Sequence, residues 1–221
     1  SNTNTWTFQQ LFNYNKSFGK HNFDILAGHE SYQYSYFYLS TSMKTQTIIG
    51  DNFEYANFTE VNALPYSYTN NYRVEGFLSR VNYDFNEKYF FSASYRRDGS
   101  SRFYKDVRWG DFWSVGAGWT LDKEKFMAGV EFVDMLKLRA SYGVVGNDDL
   151  SSYYPWRATY SINNNGEPGY AQSSLGNREL TWETSNNFDV ATEFRLFDNR
   201  LEGSVEYFHR VSSDLLFSVP Q

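Results

Sequence analysis

Residues 180–210 read LTWETSNNFDVATEFRLFDNRLEGSVEYFHR: apolar and polar side chains alternate, pause at Asp198-Asn199-Arg200, and alternate again. Strict alternation is the mark of a β-strand with two unlike faces. A short pause containing Asp and Asn is the mark of a tight hairpin turn. One face carries Phe188, Val190, Thr192, Phe194 and Leu196, then Leu201, Gly203, Val205 and Tyr207. The other carries Asp189, Ala191, Glu193 and Arg195, then Glu202, Ser204, Glu206 and Phe208. In a soluble domain the greasy face is the core. In a membrane barrel it meets lipid and the charged face lines the lumen. The hairpin by itself fits both.

The same rhythm runs through the chain and gives about eight long segments, far above the usual strand of about 5–6 residues. They span residues 5–18, 22–41, 72–85, 89–103, 111–121 and 135–145, followed by the two arms of the hairpin. Phe77, Val81, Tyr83 and Phe85 oppose Arg80, Asn82 and Asp84. Trp113, Val115, Ala117 and Trp119 oppose Ser114, Gly116 and Gly118. Leu138, Ala140, Tyr142 and Val144 oppose Lys137, Arg139 and Ser141. A helical turn is expected at Lys123-Glu124-Lys125-Phe126-Met127 within the connection 122–134.

The connections alternate in length. Short ones lie at 19–21, 86–88 and 198–200, and long ones at 42–69, 99–110 and 146–179. In an up-and-down antiparallel meander every second connection returns to the same end. One end therefore has tight turns and the other long loops, as in outer-membrane barrels with short periplasmic turns and long extracellular loops. A soluble sandwich has no physical reason to sort its loops by length. The expected topology places the short turns and the 122–134 connection in the periplasm and the three long connections outside the cell. Aromatic residues near segment ends, among them Trp6, Phe18, Tyr72, Phe85, Phe103, Trp182 and Phe197, read as the interfacial girdles of such a barrel.

Composition closes off other classes. There is no cysteine, which removes disulfide scaffolds, zinc–thiolate sites and a thiol nucleophile. A net charge of −6 argues against a dedicated nucleic-acid binder. Aromatic residues make up 20% of the chain, against disorder. No apolar run approaches the roughly 18 residues of a transmembrane helix, which leaves a strand-built membrane protein open.

Three stretches carry a family likeness: Tyr95-Arg96-Arg97-Asp98-Gly99-Ser100-Ser101-Arg102-Phe103; Leu136-Lys137-Leu138-Arg139-Ala140-Ser141-Tyr142-Gly143 with Gly146-Asn147; and Leu180-Thr181-Trp182-Glu183. In order and approximate spacing they resemble the barrel of SusC/RagA-type TonB-dependent outer-membrane transporters. The resemblance implies a slice of a barrel of about 22 strands. It also implies a SusD-like surface lipoprotein and TonB as partners, an oligosaccharide or peptide substrate, and the outer membrane of a Gram-negative bacterium. Against the family pattern, no plug domain and no TonB box are recognised, and the chain ends at Val219-Pro220-Gln221 rather than at a terminal aromatic residue.

Nothing in the sequence points to catalysis, a metal or a cofactor. His21 and His29 belong to a turn and a strand and need not converge, and His209 stands apart. No Gly-x-Ser-x-Gly elbow is present. Asp98-Gly99-Ser100-Ser101 is better explained as turn chemistry than as a reactive serine. The carboxylates Glu183, Asp189, Glu193, Glu202 and Glu206 share a face, but Arg195 interrupts them, and a hydrated lumen outweighs a glycosidase pair. Arg80, Arg139, Glu193, Arg195, Glu202 and Glu206 are expected to face the lumen. Tyr153, Tyr154 and Trp156, in the long connection 146–179, are candidate substrate contacts, with loop packing as their plainer role. The fold class expected is all-β: a transmembrane antiparallel barrel segment. A soluble aromatic-rich β-sandwich that binds carbohydrate is the alternative. A complete eight-stranded barrel is disfavoured, because its interior has room only for packed side chains.

Overall fold

The computed structural model describes residues 1–51, 53–161 and 170–216, so Pro168 and the terminal Val219-Pro220-Gln221 lie outside the described residues. Among the described residues ten strands occur in chain order. They are β1 (Asn2–Phe18), β2 (His21–Gln46), β3 (Phe58–Phe85), β4 (Tyr89–Ser100), β5 (Trp109–Thr120), β6 (Val133–Asn147), β7 (Thr159–Ser161), β8 (Ala171–Ser174), β9 (Glu183–Leu196) and β10 (Leu201–Ser213). Eight of them form one antiparallel meander in the order β1-β2-β3-β4-β5-β6-β9-β10, and β7 and β8 make a small separate hairpin. β1 and β10 are the two edges and do not pair with each other, so the sheet is open. A complete eight-stranded barrel is thereby excluded for this chain. The sandwich is also disfavoured, because the only other sheet among the described residues has two strands.

Register keeps the two faces separate from edge to edge. Tyr14, Ile25, Val81, Ala93, Val115, Tyr142, Phe188 and His209 are successive cross-strand neighbours. One residue over, Asn15, Asp24, Asn82, Ser92, Gly116, Ser141 and Asp189 form the matching row on the other face. A slip of one residue in any pair would exchange the faces of every strand beyond it. Neither face has a core behind it. Among the described residues the buried apolar side chains are Phe103, Phe112, Trp182 and Ala191, whereas Phe12, Phe91, Trp113, Val190 and Tyr207 on the apolar face are all exposed. An exposed apolar face this continuous needs an apolar covering, since folded proteins in water rarely leave such a patch bare.

Two boundaries differ from the sequence reading. β2 and β3 run on through most of residues 42–69, which alternation alone assigned to a polar connection, and only 47–57 connects them. The extension is mostly Ser, Thr, Tyr, Asn and apolar residues, with Lys44 and Glu60 its only charges, so its faces contrast too weakly to register as a strand. Pro65 also argues against a central strand. It is tolerated because the ladder breaks there: Ser40 pairs Tyr66 and Ser42 pairs Ala63, leaving Leu64 and Pro65 in a bulge. The expected helical turn in 122–134 is a pair of 3-10 turns, Leu121–Lys123 and Lys125–Met127.

The turns at one end touch one another in sequence. Lys20 O accepts from Asn86 N at 2.7 Å, Lys88 O from Thr120 N at 2.8 Å, and Phe132 O from Phe197 N at 2.9 Å. The long connections meet at the opposite end, which is what the alternation of connection lengths requires. The tight turns reach their geometry through positive φ at Asn86, Glu87, Asp198 and Asn199, matching the primed turns that suit strand twist.

Candidate functional site

The polar face carries a band of ion pairs built across strands. Arg96 Nε donates to Asp98 Oδ2 at 2.7 Å, and Arg96 Nη2 reaches Glu30 Oε1 at 3.3 Å. Gln9 donates to the same Glu30. Gly76 stands opposite Asp98, and a Cβ there would run into Asp98 Oδ1 and Arg96 Nη2. Further along, Arg139 Nε meets Glu193 at 3.0 Å and Arg139 Nη2 meets Glu206 at 3.0 Å. Ala191 lies opposite both Arg139 and Glu206 and is 2% exposed, covered by that bridge. Arg80 approaches Asp24 at 3.9 Å. Arg195 Nη1 donates to Asn199 Oδ1 at 3.3 Å, with Glu202 opposite it in register. All six charged residues expected on one face are on one face; Arg139, Glu193 and Glu206 are joined by ion pairs, and Arg195 and Glu202 are cross-strand neighbours. The sequence reading takes Asp98-Gly99-Ser100-Ser101 as turn chemistry and pairs neither Arg96 nor Glu30 with Asp98; β4 instead carries Asp98 to Ser100 as strand. Arg96 and Asp98 are two apart on β4 and so share a face, whereas Glu30 lies on β2 and only the register makes it their neighbour.

At the long-connection end the three family-like stretches converge on one knot. Asp148 Oδ2 accepts from Ser100 Oγ at 2.6 Å and from Tyr72 OH at 2.8 Å. Arg102 Nη1 donates to Asp148 O at 2.7 Å and to Asp149 Oδ1 at 3.0 Å, and its guanidinium lies over the Tyr72 ring at 4.6 Å. Beside this polar clasp, Trp182 packs on Phe103 at 5.4 Å and edge-on to Phe112 at 5.1 Å. Its indole donates to Arg108 O at 2.8 Å. Phe103 is fully buried. Gly146 and Gly110 leave room for Phe112, because a Cβ at either would overlap its ring. Phe103 and Trp182 are therefore core residues of a loop cluster rather than members of an interfacial girdle. Burial, reinforced by the bond to Asp148, pushes the Tyr72 hydroxyl well above its ordinary range, so it stays a donor.

The loop aromatics divide. Tyr154 OH accepts from Asn71 N at 2.9 Å, and Trp156 packs on Tyr104 at 5.6 Å, so both hold the loop in place. Tyr153 stacks on Tyr34 of the polar face, with centroids 6.1 Å apart and planes 10° apart. Sequence reading passed over Tyr34 and its neighbours Tyr32, Tyr36 and Tyr38, although their spacing of two already places them on one face. The histidines lie on the apolar face and do not converge: His21 bonds Tyr83 OH and His29 bonds Glu75. Among the described residues no three of His, Cys, Asp or Glu gather as metal ligands would.

The family model for the TonB dependent receptor-like β-barrel matches residues 1–221. The chain belongs to that family. It is 35% identical over 228 residues to TonB-dependent receptor P3 of Formosa agariphila, covering 99% of this chain and 22% of that protein. It is 29% identical over 218 residues to TonB-dependent receptor SusC of Bacteroides thetaiotaomicron, covering 93% of this chain and 21% of the relative. Among solved structures, the RagAB peptide transporter superposes with a TM-score of 0.86 at 28% identity, over 99% of this chain and 25% of that one. The chain thus spans about a quarter or less of the relatives it matches. The expected SusC/RagA-type kinship and the all-β antiparallel architecture both hold.

Proposed function

We propose that this chain is part of the barrel wall of an outer-membrane, TonB-dependent importer of nutrient oligomers, glycan or peptide. The apolar face meets lipid. The polar face lines the lumen, with Arg80, Arg139, Glu193, Arg195, Glu202 and Glu206 bathed by its water. The long connections stand outside the cell and the short turns in the periplasm. The role is transport rather than catalysis. A SusD-like surface lipoprotein and TonB act as partners through the whole receptor, as kinship with SusC and RagA implies.

The observation that carries this reading is the cross-strand row from Tyr14 to His209, apolar through Phe188, exposed or half-buried with no core behind it, and backed one residue over by a polar row. That arrangement is costly in water and fitting in a bilayer. A loop that packs Tyr153 and Asp148 against the polar face supports that face as the interior. The test is extraction of the native protein from cell envelopes. It should stay with the outer-membrane fraction through salt and carbonate washes and come out only in detergent. Recovery as a monodisperse species in aqueous buffer would contradict the proposal.

A further inference from the structure

Beyond the ion-pair band, β2 and β3 continue as a two-stranded blade whose polar-side face is tyrosine. On β2 that face reads Tyr32, Tyr34, Tyr36, Tyr38 and Ser40, and on β3 it reads Tyr66, Tyr68, Asn70 and Tyr72. The rings touch in two groups. Tyr68 contacts Tyr36 at 5.9 Å and Tyr38 at 5.2 Å, and Tyr38 contacts Tyr66 at 6.4 Å. Nearer the sheet, Tyr153 joins Tyr34 at 6.1 Å to Tyr72 at 6.4 Å. No residue of the strip itself is charged. The charges that border it are already engaged: Arg102 with Asp148 and Asp149 on one side, and Lys44 with Glu60 at 3.3 Å on the other.

We propose that this tyrosine strip binds a neutral oligosaccharide. The inference rests on the reading of the polar face as the lumen side, and it names the substrate class for that face. Tyrosine supplies a large rigid contact surface with few rotatable bonds, together with a hydroxyl. The C–H faces of a pyranose stack on the rings, and its hydroxyls exchange hydrogen bonds with the phenols. Side chains on one face recur every ~6.6–6.8 Å along a strand, giving a repeating ligand a repeating track. A charged peptide would find no free counter-charge in the strip.

Cross-strand ring pairs also stabilise a two-stranded hairpin, but stability alone does not ask for hydroxyls. The opposite face of the same blade does without them at Phe37 and Leu39. Tyr66 is 61% exposed and Tyr68 37%, so their rings remain accessible.

The test uses the intact receptor, purified in detergent. Probes are neutral hexasaccharides (gluco-, manno-, galacto-, xylo- and fructo-) and an uncharged hexapeptide. At least one hexasaccharide should bind. Its affinity should fall by about tenfold or more in the pair Tyr36→Ala/Tyr68→Ala. The pair Tyr36→Phe/Tyr68→Phe keeps the rings and should lose about threefold from the missing hydroxyls. If the alanine pair does not assemble, the phenylalanine pair decides. Absence of hexasaccharide binding, binding unchanged in the phenylalanine pair, or capture of the hexapeptide instead would each overturn the strip. A receptor that still requires detergent and takes up peptide would overturn the strip alone. One that needs no detergent would overturn the membrane reading beneath it.

Discussion

The two ends of this sheet are closed by different chemistry. At the turn end, neighbouring turns touch through single backbone bonds and charge pairs, one at the surface and one half-buried: Lys123 pairs Glu87 at 2.6 Å, and Glu124 gathers Lys88, Tyr89 and Trp119. At the loop end, Trp182, Phe103 and Phe112 form the one dry aromatic cluster found among the described residues, clasped by Asp148 and Arg102. The difference follows from length. A two- or three-residue turn is fixed by its own dihedrals and needs no core. A long connection must offset the entropy of ordering itself, and a wall with no core behind it has none to lend. The loops therefore carry their own.

The largest effect expected is at the loop end. Trp182→Ala should cost about 3–5 kcal/mol of loop-cluster stability, read as protease cleavage within 101–108 and 148–158 while the strands stay protected. Uniform loss across the sheet, with no preference for the loops, would mean the knot is not a separate unit.

The wall between the ends should respond to face. Val190→Arg places a charge on the apolar face and should cost about 2–4 kcal/mol near the bilayer midplane, whereas Ser204→Arg on the polar face should cost far less. Urea unfolding of the intact protein in lipid vesicles gives both values. If Ser204→Arg is the more damaging, the faces are reversed. Ala191 is unsuitable for this comparison, because Arg139 already bridges over it.

A smaller effect separates the ends by pH. Lys123 holds Glu87 below the ordinary carboxylate range, and hydrogen bonds from Tyr89, Trp119 and Lys88 do the same for Glu124. A depressed carboxylate stabilises the fold above its ordinary value of about 4.3 and loses that contribution as pH falls through the lower folded value. Tyr72 is shifted up, so its contribution is complete below its ordinary value of about 10 and is lost as pH rises beyond it. Spin labels at Lys20 and Ser151 should therefore gain mobility at opposite extremes, the first in acid and the second in alkali. Simultaneous loosening at both extremes would merge the two ends into one unit.

Sequence alone sufficed where the two faces differ sharply. β5, β6, β9 and β10 alternate aromatic or aliphatic residues with Ser, Gly or charge, and their faces and the parity of their connections were legible within a residue or two. It failed where contrast is chemical rather than hydrophobic. The blade of β2 and β3 alternates Tyr with Ser, Gln and Asn, which hydropathy does not separate, and Pro65 discouraged a strand that a bulge in fact permits. The pairing of Arg96 with Glu30 and the partners of Trp182 were illegible for another reason. Their contacts join distant segments through register and loop return, which periodicity does not encode, although the three family-like stretches already held most of the residues that meet in the knot.

The two ends should lie on opposite sides of a membrane. These 221 residues hold no cysteine, so single cysteines introduced here are read against the unsubstituted parent protein as the background. Leu64, at 88% exposure in the blade, marks the loop end, and Asn199, exposed in its turn, marks the other. With the parent protein in intact cells, an impermeant thiol reagent should label Leu64→Cys and leave Asn199→Cys untouched until the outer membrane is permeabilised. Labelling of Asn199→Cys in intact cells, alone or together with Leu64→Cys, would contradict the account.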